Sequence, residues 1–185
     1  MNQLPRTLAL ALVCQLLITS LVHAQVRPRG GSLAEPAKLW SLRSGIGLIE
    51  DPDALLMNFE IERFMRDEVA VGFALQLGLD NDYTVVSPMI FTRYVLDMST
   101  LANEVARKLQ PYLQGGAGIT HIDLDRRGRD RDGTDFMVSL GLGLDFPLTD
   151  TLGVGSRALL QLIPGQVVNE RIYISWEILS FRYHW

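Results

Sequence analysis

"VAVGFALQLGL", residues 69–79, places Val69, Val71, Phe73, Leu75, Leu77 and Leu79 at alternate positions, with Ala70, Gly72, Ala74, Gln76 and Gly78 between them. A period of two marks a β-strand whose two faces meet different surroundings. Residues 135–147 repeat the pattern: Phe136, Val138, Leu140, Leu142, Leu144 and Phe146 alternate with Asp135, Ser139, Gly141, Gly143 and Asp145. Working outward from these two, the same period gives eight runs, at 39–49, 55–64, 69–79, 84–95, 110–124, 135–147, 151–163 and 171–185. Turn residues separate them, among them Asp51-Pro52-Asp53, Asp80-Asn81-Asp82 and Pro164-Gly165. The expectation is an all-β chain with no helical domain and no second domain.

Alternation does not say which face looks outward. A soluble barrel hides its apolar face and shows a charged one to water; a membrane barrel does the reverse. Here the non-apolar positions are mostly Gly, Ala, Ser and Gln, which suit a narrow interior better than a wetted surface. The apolar face is long and nearly uncharged, and about 9–11 tilted residues span a bilayer. The reading is therefore an eight-stranded antiparallel up-and-down transmembrane β-barrel over residues 39–185. In hydrocarbon an open sheet edge is very costly, so the last strand must pair with the first.

Aromatic residues near strand ends are expected to form girdles at the two membrane–water interfaces. Trp40, Phe64, Tyr94, Tyr112, Phe146 and Trp185 are assigned to the lower girdle, and Tyr83, Phe136 and Tyr173 to the upper one. Inward-facing charges must pair in so narrow a space. Arg43, Arg93 and Arg157 are expected to share the lumen with Glu60, Glu62, Asp135 and Asp145 as a plug, the alternative being a narrow ion path.

The N-terminal segment has its own signature. Residues 1–24 carry Arg6, an apolar stretch from Leu8 to Ile18, and Val22-His23-Ala24 ahead of Gln25, the pattern of a cleaved secretory signal peptide. Residues 25–38, "QVRPRGGSLAEPAK", read as an extended periplasmic linker. The only cysteine, Cys14, lies in the signal peptide, so disulfides cannot stabilise the mature chain. Removing Arg6 leaves 16 basic residues of the original 17 against 21 acidic ones, a net charge of −5, which speaks against nucleic acid as a partner.

"LQPYLQGGAG" (109–118), "SLGLGLDFPLTDTLGVG" (139–155) and the aromatic C-terminal run resemble the small bacterial outer-membrane β-barrel proteins, the group around outer membrane proteins A, X and W. The resemblance covers about Trp40 to Trp185. It implies the cell outer membrane, contact with its lipid and lipopolysaccharide, and a C-terminal signal for the barrel-insertion machinery at Leu179, Phe181, Tyr183 and Trp185. Most members end in Phe, so the terminal Trp departs from the pattern. A monomer is expected, without cofactor or metal.

Three features test this reading. Ile172, Ile174, Trp176 and Ile178 are in one phase while Leu179, Phe181, Tyr183 and Trp185 are in the other, which predicts a β-bulge near Ile178–Leu179. Residues 96–108 place Leu101 and Val105 at helical spacing with Leu109, which suggests a short amphipathic helix. The stretch "DRRGRDRDG" (125–133) reads as a mixed-charge loop whose arginines could meet lipopolysaccharide phosphates. Asp51, Asp53, Asp80 and Asp82 are ordinary solvated turn residues, with weak divalent-cation binding as the alternative.

For enzymatic chemistry, the resemblance to lipid A deacylase barrels would require a His and a Ser in close company. His121 is followed by Ile122-Asp123, and only a displaced Ser139 would remain to serve it. His121 and His184 fall at opposite ends and cannot form a paired-His metal site. A structural or loop-binding role is therefore expected, with a lipid A-modifying enzyme or a small-solute channel as alternatives.

Overall fold

The computed structural model describes residues 40–185 except 51–52, 81–82, 101–102, 127–128 and 165–171; it also leaves out the side chains of 83, 124–126 and 129–132. The segments expected as signal peptide (1–24) and linker (25–38) lie outside the described residues. The strands are β1 (Trp40–Glu50), β2 (Ala54–Phe64), β3 (Val69–Leu79), β4 (Tyr83–Val95), β5 (Gln110–Arg126), β6 (Arg129–Pro147), β7 (Leu152–Leu162) and β8 (Ile172–His184), with one short helix, α1 (Glu104–Lys108), between β4 and β5. Each strand pairs antiparallel with the next, and β8 pairs with β1, so the eight strands form a closed barrel. Closure is complete at the seam. The Trp40 N–H donates to the Trp185 carbonyl at 3.3 Å, and the Trp185 N–H donates back to Trp40 at 3.1 Å.

The two faces are arranged as a bilayer demands. Ile90 is 67% exposed and Leu140 65%, while Arg43, Arg93 and Arg157 are each 2% exposed or less. Leucine, isoleucine and phenylalanine point out, and charge points to the axis. Water would make this arrangement unfavourable, because each exposed Leu or Phe forgoes roughly 1.5–3 kcal/mol of burial. In hydrocarbon the same side chains lose nothing, and the closed ladder leaves no edge. The wall is that of a transmembrane barrel.

β8 contains the expected bulge. Against β1, Ile46 pairs with Leu179 and Gly47 with Glu177, so Ile178 is the extra residue. Against β7, Gly155 pairs with Ser180 and Arg157 with Glu177. Ile178 and Leu179 consequently both face outward, flanked by buried Glu177 and Ser180. One inserted residue re-phases the strand, so Trp176 above the bulge and Phe181, Tyr183 and Trp185 below it all meet lipid.

Of two expectations about connecting segments, one needs correction and the other, a short solvated helical turn within 96–108, is met. Residues 125–126 and 129–133, expected in a loop, are strand: β5 and β6 run 17 and 19 residues, and their ladder continues through Asp123↔Asp132 to Arg126↔Arg129. A membrane crossing uses about 9–11 residues, so this hairpin continues well past the bilayer. Backbone pairing holds a charged hairpin together once its strands are in register, which composition alone conceals. The helix expected within 96–108 is a five-residue turn, capped by Asn103, whose Oδ1 accepts from the Val105 and Ala106 N–H groups at 2.9 and 3.4 Å. None of its residues is buried and Val105 is exposed, so α1 packs no apolar face against the barrel. Leu101 lies outside the described residues.

Candidate functional site: a charge-paired plug in the lumen

The lumen is layered along the barrel axis. Taking the lower end as the one where β1 starts and β8 finishes, the inward residues of β1 ascend as Ser41, Arg43, Gly45, Gly47 and Ile49. Those of β2 descend as Ala54, Leu56, Asn58, Glu60, Glu62 and Phe64. Charges therefore gather in the lower half and apolar groups in the upper half on both strands. The other strands follow: Arg93, Asp145 and Arg182 lie low, and Met137, Ile122 and Ile163 lie high.

Four guanidinium groups meet four carboxylates in the lower layer, among the described residues. Arg43 reaches Asp145 at 2.5 Å, Glu177 at 3.5 Å and Glu60 at 3.6 Å, and donates to Ser180 Oγ at 3.0 Å. Arg93 bridges Glu60 at 2.7 Å and Glu62 at 2.8 Å. Arg157 pairs with Glu60 and, at 2.7 Å, with Glu177. Arg182 closes the lower edge, 2.6 Å from Asp145 and 2.7 Å from the Gln110 amide oxygen. Gln114 accepts from both Arg93 at 3.3 Å and Arg157 at 2.9 Å. Every strand except β3 contributes a side chain, and β3 gives the space, with Ala70, Gly72 and Ala74 on its inward face.

Charges fully removed from water are tolerable only when each is paired and hydrogen-bonded. Here the formal charge of the cluster sums to zero, and Glu60 alone touches three arginines. Tyr112 fills the centre: its ring lies 4.4 Å from the Arg93 guanidinium and 5.3 Å from that of Arg43. Glycine makes the room. A Cβ on Gly143 would strike the Tyr112 ring, and one on Gly45 would lie 2.5 Å from the Glu177 carboxyl carbon. Below the network a cavity of about 340 Å³ opens at the lower mouth, lined by Phe64, Gln110, Arg182 and His184.

The upper layer contains no ion pair among the described residues. Leu56, Met89, Met137, Ile49, Ile163 and Tyr173 pack into one apolar cluster. Two polar contacts separate it from the charges or brace its wall: Gln161 donates to Gln76 across the lumen, and Ser87 and Thr120 share a hydrogen bond of 2.7 Å.

Six of the seven charges expected in the lumen lie in this network: Arg43, Glu60, Glu62, Arg93, Asp145 and Arg157. Asp135 does not. It shares the inward phase of β6, but ten residues separate it from Asp145, roughly 33 Å of strand. Its Oδ1 accepts the Phe136 N–H at 3.0 Å near the upper end. Glu177 and Arg182 complete the network and were not singled out from the sequence, although both alternate with outward apolar residues on β8.

The aromatic assignments divide. Trp40, Tyr94 and Trp185 are exposed at the lower end, Tyr183 stacks on Trp185 at 5.9 Å between centroids, and Arg63 lies 5.8 Å from the Trp40 ring. Phe136 is exposed at the upper end and Phe146 is half-buried. Phe64, Tyr112 and Tyr173 are corrections: they are buried inside the barrel. Each has the parity of a polar inward neighbour, Glu62, Gln114 and Ser175 respectively, and parity decides the face. The side chain of Tyr83 lies outside the described residues. In the C-terminal run, Leu179, Phe181, Tyr183 and Trp185 all face outward. His121 points outward near the upper end, its Nδ1 2.9 Å from Thr134 Oγ1, far from His184, whose ring meets Phe64 at the lower mouth. Of the four turn aspartates, Asp51 and Asp82 lie outside the described residues.

No protein-family model matches the sequence, and no curated protein matches it significantly. Solved structures do. The chain is similar to the N-terminal β-barrel domain of Pseudomonas aeruginosa OprF, at 14% identity and a TM-score of 0.64, over 80% of this chain and 98% of that one. It is also similar to Neisserial surface protein A, at 10% identity and 0.60, over 79% and 96%. A third is the outer membrane enzyme PagL, at 14% identity and 0.51, over 77% and 98%. One fold thus serves a surface protein and an enzyme alike, so function must be argued from the site. The closed eight-stranded barrel, its apolar exterior and its polar interior together make this chain a transmembrane β-barrel with the fold of the solved small outer-membrane barrels.

Proposed function

We propose that this protein is a structural outer-membrane barrel whose lumen is permanently plugged, and that any partner is met by the extended β5–β6 hairpin and the barrel's lipid-facing wall. One observation carries the reading: the neutral cluster of four arginines and four carboxylates joins six strands, with Gln110 and Gln114 of β5 tying in a seventh, and has almost no exposed area. An eight-stranded interior is just wide enough for side chains to fill. The upper half is filled by an apolar cluster together with buried polar side chains that carry no charge, among them the hydrogen-bonded pairs Gln76–Gln161 and Ser87–Thr120. Lipid and lipopolysaccharide are the partners that the wall and hairpin suit, the C-terminal strand is the segment for the insertion machinery to engage, and the working unit is a monomer.

Reconstitution into planar bilayers and swelling of proteoliposomes test this directly. Conductance and sugar flux indistinguishable from those of protein-free membranes are expected; steady solute flux through the wild-type protein would overturn the plug. The enzymatic alternative needs His121 beside Ser139, but His121 points outward while Ser139 is buried in the lumen with its Oγ 3.5 Å from Met89 Sδ, so lipid A in the same vesicles should keep all its acyl chains by mass analysis.

A further inference from the structure

The bulge in β8 sits in the wall directly outside the plug, and its hydrogen bonds run through that wall. Glu177 faces the lumen, where its carboxylate holds Arg43 and Arg157. Its backbone carbonyl accepts a hydrogen bond of 2.9 Å from Ser156 Oγ. Ser156 is the β7 residue skipped where the ladder steps from Gly155↔Ser180 to Arg157↔Glu177. Trp176, half-exposed on the lipid side, donates its indole N–H to the same Ser156 Oγ at 3.3 Å.

We propose that Ser156 and Trp176 form a clamp on the outer side of the wall that fixes Glu177 in the plug, so that the tightness of the plug depends on a lipid-facing tryptophan. This rests on the plug reading above. The physical need is clear. A bulge disrupts the backbone ladder, and in hydrocarbon no water is present to stiffen it or to satisfy its polar groups. A hydroxyl supplied from the neighbouring strand does both. The indole gives that hydroxyl its own donor, leaving its proton for the carbonyl. Because Glu177 follows Trp176 directly, any shift of the backbone here moves the carboxylate relative to Arg43 and Arg157. Both residues are positioning residues, since neither touches the charge cluster itself.

Planar-bilayer recording of the full barrel tests the clamp with four variants. Ser156→Ala removes the hydroxyl, a restraint worth one hydrogen bond, and is expected to show brief openings where the wild-type trace shows none. Ser156→Thr keeps the hydroxyl and should restore the wild-type trace. Trp176→Phe keeps the aromatic contact with lipid and should fall between the two. Glu177→Ala breaks the plug itself and should conduct most. If Glu177→Ala conducts while Ser156→Ala matches wild type, the clamp is wrong and the plug stands. If Glu177→Ala is as silent as wild type, the charge layer is not the seal, and the clamp falls with that reading. A variant that fails to fold is recognised by equal migration on heated and unheated gels; amide exchange at residues 176–180 of folded Ser156→Ala, expected to quicken relative to Ser156→Thr, then decides the clamp without conductance.

Discussion

Along one inward row of β2, Leu56 packs against Met89 and Met137 while Glu60, four residues lower, is held by three arginines. Both side chains are buried to the same degree, at 0% and 2% exposure. The two ends of the lumen thus reach the same density by opposite chemistry, and they should respond differently to damage. Apolar packing is non-directional, and losing one group leaves a void whose lining still prefers its neighbours to water. An ion cluster in a dry interior is held by complementarity, and losing one member leaves its partners as unpaired buried charges.

The largest expected effect comes from Glu60→Ala. Arg43, Arg93 and Arg157 would all lose a carboxylate at once, and a cluster with no net charge would be left with one surplus positive charge. Breaking a buried pair from one side costs about 3–5 kcal/mol, and three arginines share this carboxylate. Urea unfolding in lipid vesicles, followed by tryptophan fluorescence, should show a loss in this range or greater. A cost under about 1 kcal/mol would mean that water or the remaining carboxylates reorganise to neutralise the arginines, and the lower layer would not be the rigid plug described.

Leu56→Ala is the matched change in the upper layer. Deleting a fully buried leucine costs about 2–5 kcal/mol, the sum of lost transfer energy and an unfilled cavity. Stability should fall by an amount near the lower part of that range, while bilayer conductance stays at the wild-type level because the charge layer below remains closed. If Leu56→Ala conducts, the seal lies in the apolar layer, and the roles of the two halves must be exchanged.

The contrast between the halves was partly legible in the sequence. Strict alternation in 69–79 fixed the strand, and small residues opposite the apolar face fixed its orientation, because only a narrow lumen asks for Gly and Ala there. The change of phase at Ile178–Leu179 was visible as a conflict that only a bulge resolves. Placement along the axis was legible but not applied to the charges. Phe136 and Phe146 were assigned to opposite girdles, which already sets their neighbours Asp135 and Asp145 at opposite ends of β6, one near the rim and the other in the cluster. Residue type also misled. Phe64, Tyr112 and Tyr173 were assigned to the girdles because aromatics favour interfaces, when the alternation of their own strands already turned them inward. The same alternation, followed through β8 from Tyr173 to Arg182 with one step for the bulge, would have found Glu177 and Arg182.

Tyr112 separates the two chemistries most finely, because it brings an apolar ring and a polar hydroxyl into the charged layer. The ring is used: it lies against two guanidinium groups, and phenylalanine offers nearly the same face to them. The hydroxyl oxygen is buried and has no hydrogen-bond partner among the described residues. Removing such a group sheds a desolvation penalty without breaking a bond. Tyr112→Phe should therefore be neutral or stabilising by up to about 1 kcal/mol, whereas Tyr112→Leu should lose the cation–π contacts at a cost of about 1–2 kcal/mol. Both are measurable as shifts of the urea midpoint in vesicles. If Tyr112→Phe proves the more damaging of the two, the hydroxyl takes part in the network, and Tyr112 joins Ser180, Gln110 and Gln114 among the uncharged groups that hold the lower layer.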